Sequence, residues 1–270
     1  MASRLPPVVA DNDIEVECLV KAFYDTRRKV PVVAVENASF SVRRGEFLSI
    51  CGPSGCGKST ILRVLAGLEQ QTLGEFRVAG DGRNPAMVFQ ESSLFPWLNV
   101  QDNVAYGLAL RGVRKRERRE RVQPLLAMAG LAEWTHAYPH QLSGGMKQRA
   151  SVARALADDE AGVLLMDEPF GALDEQTRVG LQQELLRIWE RERKTVVFIT
   201  HSIEEALTLS DRVLVMSARP GRIISEIDVP FERPRDAIEL RREQLFGELS
   251  FRIWDLLRAE HGPTENAVDA

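Results

Sequence analysis

Cysteine is scarce in this chain: three thiols in 270 residues, at Cys18, Cys51 and Cys56, without a CxxC pair or a zinc-type spacing. That count excludes a disulfide framework and a cysteine-rich metal site, and predicts free thiols in a reducing, cytosolic compartment. A long apolar run is also missing, since no stretch approaches the roughly 20 residues that cross a bilayer. Met1 to Ala10 has neither a basic start nor an apolar centre like a signal peptide. Any membrane association is therefore expected through a partner. Charge of one sign is lacking too: 35 Lys and Arg against 39 Asp and Glu give a net −4, without the positive field of a nucleic-acid binder. Neither an internal repeat nor a low-complexity tract occurs. The length suffices for a sizeable core without covalent staples.

The pattern along the chain is that of an α/β protein. Residues 1–13 are polar or Pro-containing and read as an N-terminal arm. Ile14, Val16, Cys18 and Val20 then alternate with Glu15, Glu17 and Leu19 as in an edge strand. A second extended run, Val32 to Val42, follows a basic turn at Arg27, Arg28 and Lys29, and the two predict an antiparallel layer. Short apolar runs come next, at Phe47–Cys51, Met87–Phe89, Val163–Met166, Val196–Ile199 and Val213–Met216, with helical segments between them. Such runs predict a mainly parallel sheet buried on both faces, with ligands at the carboxyl ends of its strands. Glu91 to Ala157 carries helical patterns and no strand signal, so it reads as a helical insertion. Past Val229, Pro230 and Pro234 lead into an amphipathic helix with Ile238, Leu245, Leu249, Ile253 and Leu256.

Gly52-Pro53-Ser54-Gly55-Cys56-Gly57-Lys58-Ser59-Thr60 lies between the strand Phe47–Cys51 and a helix predicted over Ser59–Ala66 and closed by Gly67. It matches the P-loop pattern in the structural context that pattern needs. Glycine backbone amides and a helix start cradle phosphate oxygens, Lys58 reaches the terminal phosphates, and the Ser59 hydroxyl serves Mg²⁺. Cys56, inside the loop, is expected to act through its backbone. The run Val163 to Met166 ends in Asp167 and Glu168. At a strand end, two adjacent carboxylates address different targets: Asp167 a Mg²⁺ ion or its waters, Glu168 the water that attacks a γ-phosphate. A second phosphate-shaped helix start occurs at Leu142-Ser143-Gly144-Gly145-Met146-Lys147-Gln148-Arg149, with Ser143 as N-cap. One nucleotide needs one cradle, so the second belongs to another ligand or to a site completed by a symmetry mate.

With these segments the chain resembles the ATP-binding-cassette (ABC) ATPases over about residues 14–228. Leu142–Gln148 is similar to the signature motif, with Met146 where Gln is commoner; Gln90 resembles the Q-loop, Gly171-Ala172-Leu173-Asp174 the D-loop and His201 the switch histidine. The resemblance implies a P-loop NTPase (RecA-like) mainly parallel sheet core with an antiparallel β layer and a helical subdomain. In these terms 14–229 is the nucleotide-binding domain, its helical subdomain about 91–157, and 230–270 a C-terminal helical tail. It implies ATP and Mg²⁺ as cofactors, with Ser59, Gln90 and Asp167 toward the metal and Glu168, Gln90 and His201 in catalysis. It further implies a head-to-tail homodimer in which Ser143, Gly144 and Gly145 of one chain cover the γ-phosphate on the other chain's P-loop. Phe23 or Tyr24 resembles the aromatic that stacks on adenine, and spacing favours Phe23.

The apolar loop Ser92 to Leu98 resembles the groove that receives a permease's coupling helix, with Leu94, Phe95 and Trp97 as candidate contacts; packing within the helical subdomain is the alternative for each. Residues 111–121 hold seven Arg or Lys against two Glu, which reads as a solvated helix face rather than a nucleic-acid patch. The runs Phe95–Val100 with Asp102-Asn103-Val104, and Ser217–Ile223, are most similar to importers of the nitrate, sulfonate and taurine type. That likeness implies a permease dimer, an external solute-binding protein acting through it, and a peripheral position on the cytoplasmic face of the inner membrane. A soluble ABC ATPase of translation or DNA repair is the alternative, which a single cassette without heptads disfavours. A P-loop small-molecule kinase has no need of the signature segment.

Overall fold

The computed structural model describes residues 11–79, 85–158 and 161–260. Along the chain, β1 (Asn12–Asp25) and β2 (Val30–Arg43) form a hairpin, and β3 (Phe47–Cys51) runs into α1 (Lys58–Leu65). Next, β4 (Leu73–Val78) and β5 (Ala86–Val88) precede α2 (Val100–Val104), α3 (Tyr106–Leu110), α4 (Lys115–Met128) and α5 (Gly144–Leu156). Strands and helices then alternate as β6 (Val163–Asp167), α6 (Glu175–Glu192), β7 (Thr195–Thr200), α7 (Ile203–Leu209), β8 (Arg212–Met216) and β9 (Ile223–Asp228). Last come α8 (Ala237–Leu240) and α9 (Gln244–Ala259).

The larger sheet has the order β5-β6-β7-β3-β8-β9, parallel except for β9, which runs against β8. Its central strands bury both faces by period-2 alternation. On one side Leu48, Ile50, Val197, Ile199 and Leu214 pack with α1 and the hairpin. On the other, Phe47, Leu164, Met166, Val196 and Phe198 meet α5 and α6. The smaller antiparallel sheet, β2-β1-β4, covers the first face. A separate apolar cluster, with Val104, Leu108, Leu126, Leu131 and Ala153, holds the helices between Glu91 and Ala157 together.

Three expectations are corrected. The alternating run from Ile14 is not an edge strand, because β4 pairs with its far side and leaves β1 in the middle. The pattern in β4 is masked by Gly74, whose φ of +85 and approach to the Cys18 carbonyl (2.3 Å from an ideal Cβ) break the strand signal. β1 also begins at Asn12, inside the span read as an arm; residues 1–10 lie outside those described. Finally, the tail helix is two helices. Asp236 caps the first through the amides of Ile238 and Glu239, and an extended Glu243 restarts the second. That break turns Ile238 out to solvent, while Phe246, Leu249 and Ile253 of α9 pack on Ala206, Val213 and Val215 of the core.

Candidate functional site

β3 lies between β7 and β8, so its carboxyl end delivers Gly52 to the middle of the sheet edge. The chain then loops back through Gly57, where φ is +108 and an ideal Cβ would lie 2.6 Å from the Ala34 carbonyl; only glycine fits there. Gly57 is also the N-cap of α1 and has no side chain to cap it, which leaves first-turn amides available to an anion. The Lys58 ammonium is almost fully buried and donates to the carbonyls of Gly52 (2.7 Å) and Pro53 (2.8 Å). Both acceptors are neutral, so its hydrogen bonds leave its positive charge to act on the cavity it lines, with the Asp167 carboxylate within electrostatic reach. Cys56 turns its side chain inward, and burial pushes its thiol pKa up.

In front of this loop lies a cavity of about 280 Å³, lined by Ser54, Gly55, Gly57, Lys58, Ser59 and Thr60 together with Phe23, Gln90 and Glu168. Ala34 and Arg219 line it too, and neither was given a role at the site from sequence. Tyr24 is 64% exposed and absent from that lining, whereas Phe23 presents its ring to it with Lys21 Nζ 4.6 Å from the ring centroid. Arg219 stands on the turn between β8 and β9, which Gly221 ties to β2 through backbone hydrogen bonds with Ala34 and Glu36. The only signal for it was its place in the Ser217–Ile223 run.

The acidic pair divides. Asp167, at the end of β6, is buried and accepts from Ser59 Oγ (2.9 Å). Burial raises its pKa, partly offset by that hydrogen bond, with the Glu168 charge adding to the rise. Glu168 adopts φ +44 while its amide donates to the Ile199 carbonyl (3.0 Å), and this left-handed turn sends its carboxylate a different way. Its Oε2 accepts from Gln90 Nε2 (3.4 Å) and lies 3.2 Å from His201 Nδ1. Gln90, Glu168 and His201 thus converge from the ends of three adjacent strands.

Ser59 and Asp167, with the Gln90 amide nearby, offer oxygen donors suited to a hard cation. Among the described residues no group of three or more His, Cys, Asp or Glu gathers as a metal cage. A small oxygen set of this kind fits Mg²⁺ that arrives with phosphates, which supply the remaining ligands.

Ser143 caps α5 by accepting from the Met146 amide (3.3 Å), leaving Ser143 and Gly144 exposed; nothing lies within 4 Å of an ideal Cβ on Gly144. None of Ser143, Gly144 and Gly145 lines the cavity of its own chain. Met146 packs against the helical cluster, so its departure from the commoner Gln is absorbed by apolar contact. Gln148 is buried and donates to the Phe89 carbonyl (3.1 Å), tying α5 to the strand that ends beside Gln90.

In the apolar loop, Leu94 packs on the helical cluster and Phe95 sits 4.4 Å from Tyr106, ring to ring, while Trp97 remains 69% exposed. Buried Asn103 shapes the loop by accepting from the Phe95 amide (2.8 Å) and donating to the carbonyls of Phe95, Leu98 and Asn99. The basic run lies largely exposed on α4, with i,i+4 pairs Arg116–Glu120 and Glu117–Arg121.

Comparison with known proteins gives this geometry a family. The sequence profile described as ABC transporter matches residues 35–171. An uncharacterized ABC transporter ATP-binding protein of Methanocaldococcus jannaschii is 46% identical over 252 residues, covering 92% of each chain. A taurine import ATP-binding protein of Rhizobium johnstonii is 45% identical, covering 88% of this chain and 94% of its own. A nitrate import ATP-binding protein of Synechocystis is 42% identical, covering 94% and 98%. Among solved structures, a dimeric ABC transporter cassette has a TM-score of 0.71 at 32% identity, covering 81% of this chain and all of that one. A post-hydrolysis dimer of an ATP-binding cassette holding ADP and Pi also gives 0.71, at 31%. The chain belongs to the ABC transporter ATP-binding family and is an ATPase.

Proposed function

We propose that this chain powers an importer for a small solute of the nitrate, sulfonate or taurine type, working as a homodimer under a permease on the cytoplasmic face of the membrane. One observation carries the dimer: the glycine-rich helix start at Ser143–Gly145, with Ser143 and Gly144 exposed, stands apart from the cavity of its own chain. A phosphate-shaped helix start turned to solvent suits a two-fold partner's nucleotide. The import reading is supported by the near full-length likeness to taurine and nitrate import ATP-binding proteins, and the exposed Trp97 suits a covered docking face. No helix among the described residues is long and apolar enough to cross a membrane, so membrane contact goes through the permease. An external solute-binding protein acts on the far side.

In this reading Phe23 stacks on adenine, and the amides of residues 54–60 with Lys58 hold the phosphates. Ser59, Asp167 and Gln90 would hold Mg²⁺, which neutralises charge on the phosphate oxygens when bound. Glu168 accepts the proton of the attacking water, His201 orients Glu168 and meets the γ-phosphate, and Gln90 passes the nucleotide state toward the Trp97 loop. Co-purification from detergent-solubilised membranes, followed by identification of the companions, tests the transporter reading. Recovery of a permease is the expected result; recovery only with ribosomes or DNA favours a soluble ABC ATPase instead.

A further inference from the structure

Behind the catalytic corner lies a charged cluster, none of whose members lines the nucleotide-site cavity. Glu205, in the first turn of α7, is buried, and its carboxylate accepts from Thr200 Oγ1 (2.5 Å) and Gln182 Nε2 (3.1 Å). Thr200 Oγ1 in turn accepts from the Ser202 amide (2.9 Å), and Ser202 Oγ accepts from the Glu205 amide (3.3 Å). The residues on both sides of His201 are therefore clamped to Glu205. On the opposite side Arg178, from α6, donates to the Leu173 carbonyl (3.0 Å) and pairs with Glu175 (3.2 Å). The Leu173 side chain abuts Gly145, where an ideal Cβ would lie 3.1 Å from Cδ2.

Between the halves is a loose joint. Arg178 Nε stands 3.8 Å from Glu205 Oε1, and this buried N–H has no hydrogen-bond partner. An orphaned donor facing a buried carboxylate at that distance is a contact that a sub-ångström shift of the Leu173 turn would close. Glu205 is already satisfied by Thr200 and Gln182, so the open contact to Arg178 adds little to the stability of the fold as it stands.

We propose that Arg178 and Glu205 are positioning residues that couple the Leu173 turn, packed on Gly145, to the turn carrying His201. When Ser143–Gly145 engage the partner's nucleotide, the Arg178–Glu205 contact closes and stiffens the turn that holds His201 at its 3.2 Å contact with Glu168 of the same chain. The two nucleotide sites of the dimer thereby act on one another. This rests on the dimer reading given above.

The test is steady-state ATP hydrolysis by the full chain, with melting temperature recorded for each variant. Arg178→Ala and Glu205→Gln should each lower kcat about tenfold while KM for ATP stays within about twofold. The double variant should fall no further than the worse single, since both break one joint. Arg178→Lys keeps the charge and the fold but not the fork, so it should melt like the parent and still lose kcat. Unchanged kcat in the single variants overturns the proposal. So do losses that multiply in the double variant, a rise in KM with kcat intact, or an Arg178→Lys chain that regains the parental rate. Ser143→Arg separates this from the reading beneath it. If that variant abolishes hydrolysis while the Arg178 and Glu205 variants run at the parental rate, only the coupling fails; if it leaves hydrolysis intact, the dimer reading fails and the coupling with it.

Discussion

Gly221→Ala is expected to damage the phosphate loop from behind, although Gly221 lies outside the P-loop and the signature segment. Its amide donates to the Ala34 carbonyl (3.0 Å) and its carbonyl accepts from the Glu36 amide (2.9 Å), which locks the turn between β8 and β9 onto β2. An ideal Cβ there falls 1.9 Å from the Cys56 carbonyl oxygen and 2.7 Å from Met216 Cε. The methionine tip can move, but the carbonyl is backbone of the phosphate loop. Ordinary contact needs about 3.5 Å, so turn and loop must separate by more than about 1 Å. The turn resists, because Ser217 Oγ accepts from the Arg222 amide (2.9 Å) and Arg222 pairs with Glu36 (2.6 Å). Overpacking of this kind costs about 1–3 kcal/mol. In a chain of this size that is a fall in melting temperature of roughly 2–12 °C. A shift of about 1 Å in the atoms that hold the phosphates lowers kcat/KM by up to about 100-fold. Gly180→Ala is the control: it lies exposed in α6 with nothing within 4 Å of its ideal Cβ. It should gain up to about 1 kcal/mol of helix propensity and leave hydrolysis unchanged. Thermal melts and ATPase kinetics on both variants decide the matter. A Gly221→Ala chain that melts and hydrolyses like the parent refutes the reasoning.

Arg219→Ala removes a cation from the cavity rim and should raise KM for ATP about 2–10-fold with kcat at saturation unchanged, which nucleotide titration reads directly. Cys18 is exposed, whereas Cys51 is buried with its pKa pushed up to about 11 by burial, and Cys56 is buried with a raised pKa. A water-soluble thiol reagent at pH 8 should therefore label one residue quickly, and Cys18→Ser should abolish that phase; a second fast equivalent contradicts the burial. The sign for Cys51 follows from its raised pKa: the stability it contributes is present below pH 9 and is lost as the pH rises through about 11. Glu46 and Arg212 form a buried pair at 2.8 Å. Arg212→Met leaves the buried carboxylate with only the Arg43 amide (2.7 Å) and guanidinium (3.6 Å), and should cost about 3 kcal/mol, much of it recovered by adding Glu46→Met, as denaturant titration will measure.

Much of the architecture was legible because it is local. β3 and β6 are short, mostly apolar runs ended by Gly52 and by Asp167-Glu168, and Ser143 caps its helix through an amide three residues on. Spacing favoured Phe23 over Tyr24 without deciding between them, and it is Phe23 that lines the cavity. What stayed hidden depends on distant parts of the chain meeting. β4 is recognisable only once β1 stands beside it, because Gly74 interrupts its alternation for the sake of the Cys18 carbonyl. In the tail, a two-helix break looked like one stripe since the spacing of Ile238 and Leu245 also fits a continuous helix. Arg178 and Glu205 lie on different helices, and only the packing of α6 against α7 brings Nε of the first within 3.8 Å of Oε1 of the second. Arg219 and Gly221 sit behind and beside the phosphate loop, contacts that no local pattern encodes.

The central claim is a nucleotide site made by two chains, and the oligomeric state of the Glu168→Gln variant tests it most directly. Light scattering after addition of ATP and Mg²⁺ should report a stable dimer that hydrolyses little, and adding Ser143→Arg should return it to a monomer that still binds ATP through Lys58. A Glu168→Gln chain that turns over ATP at the parental rate, or one that stays dimeric with Ser143→Arg in place, would contradict the account.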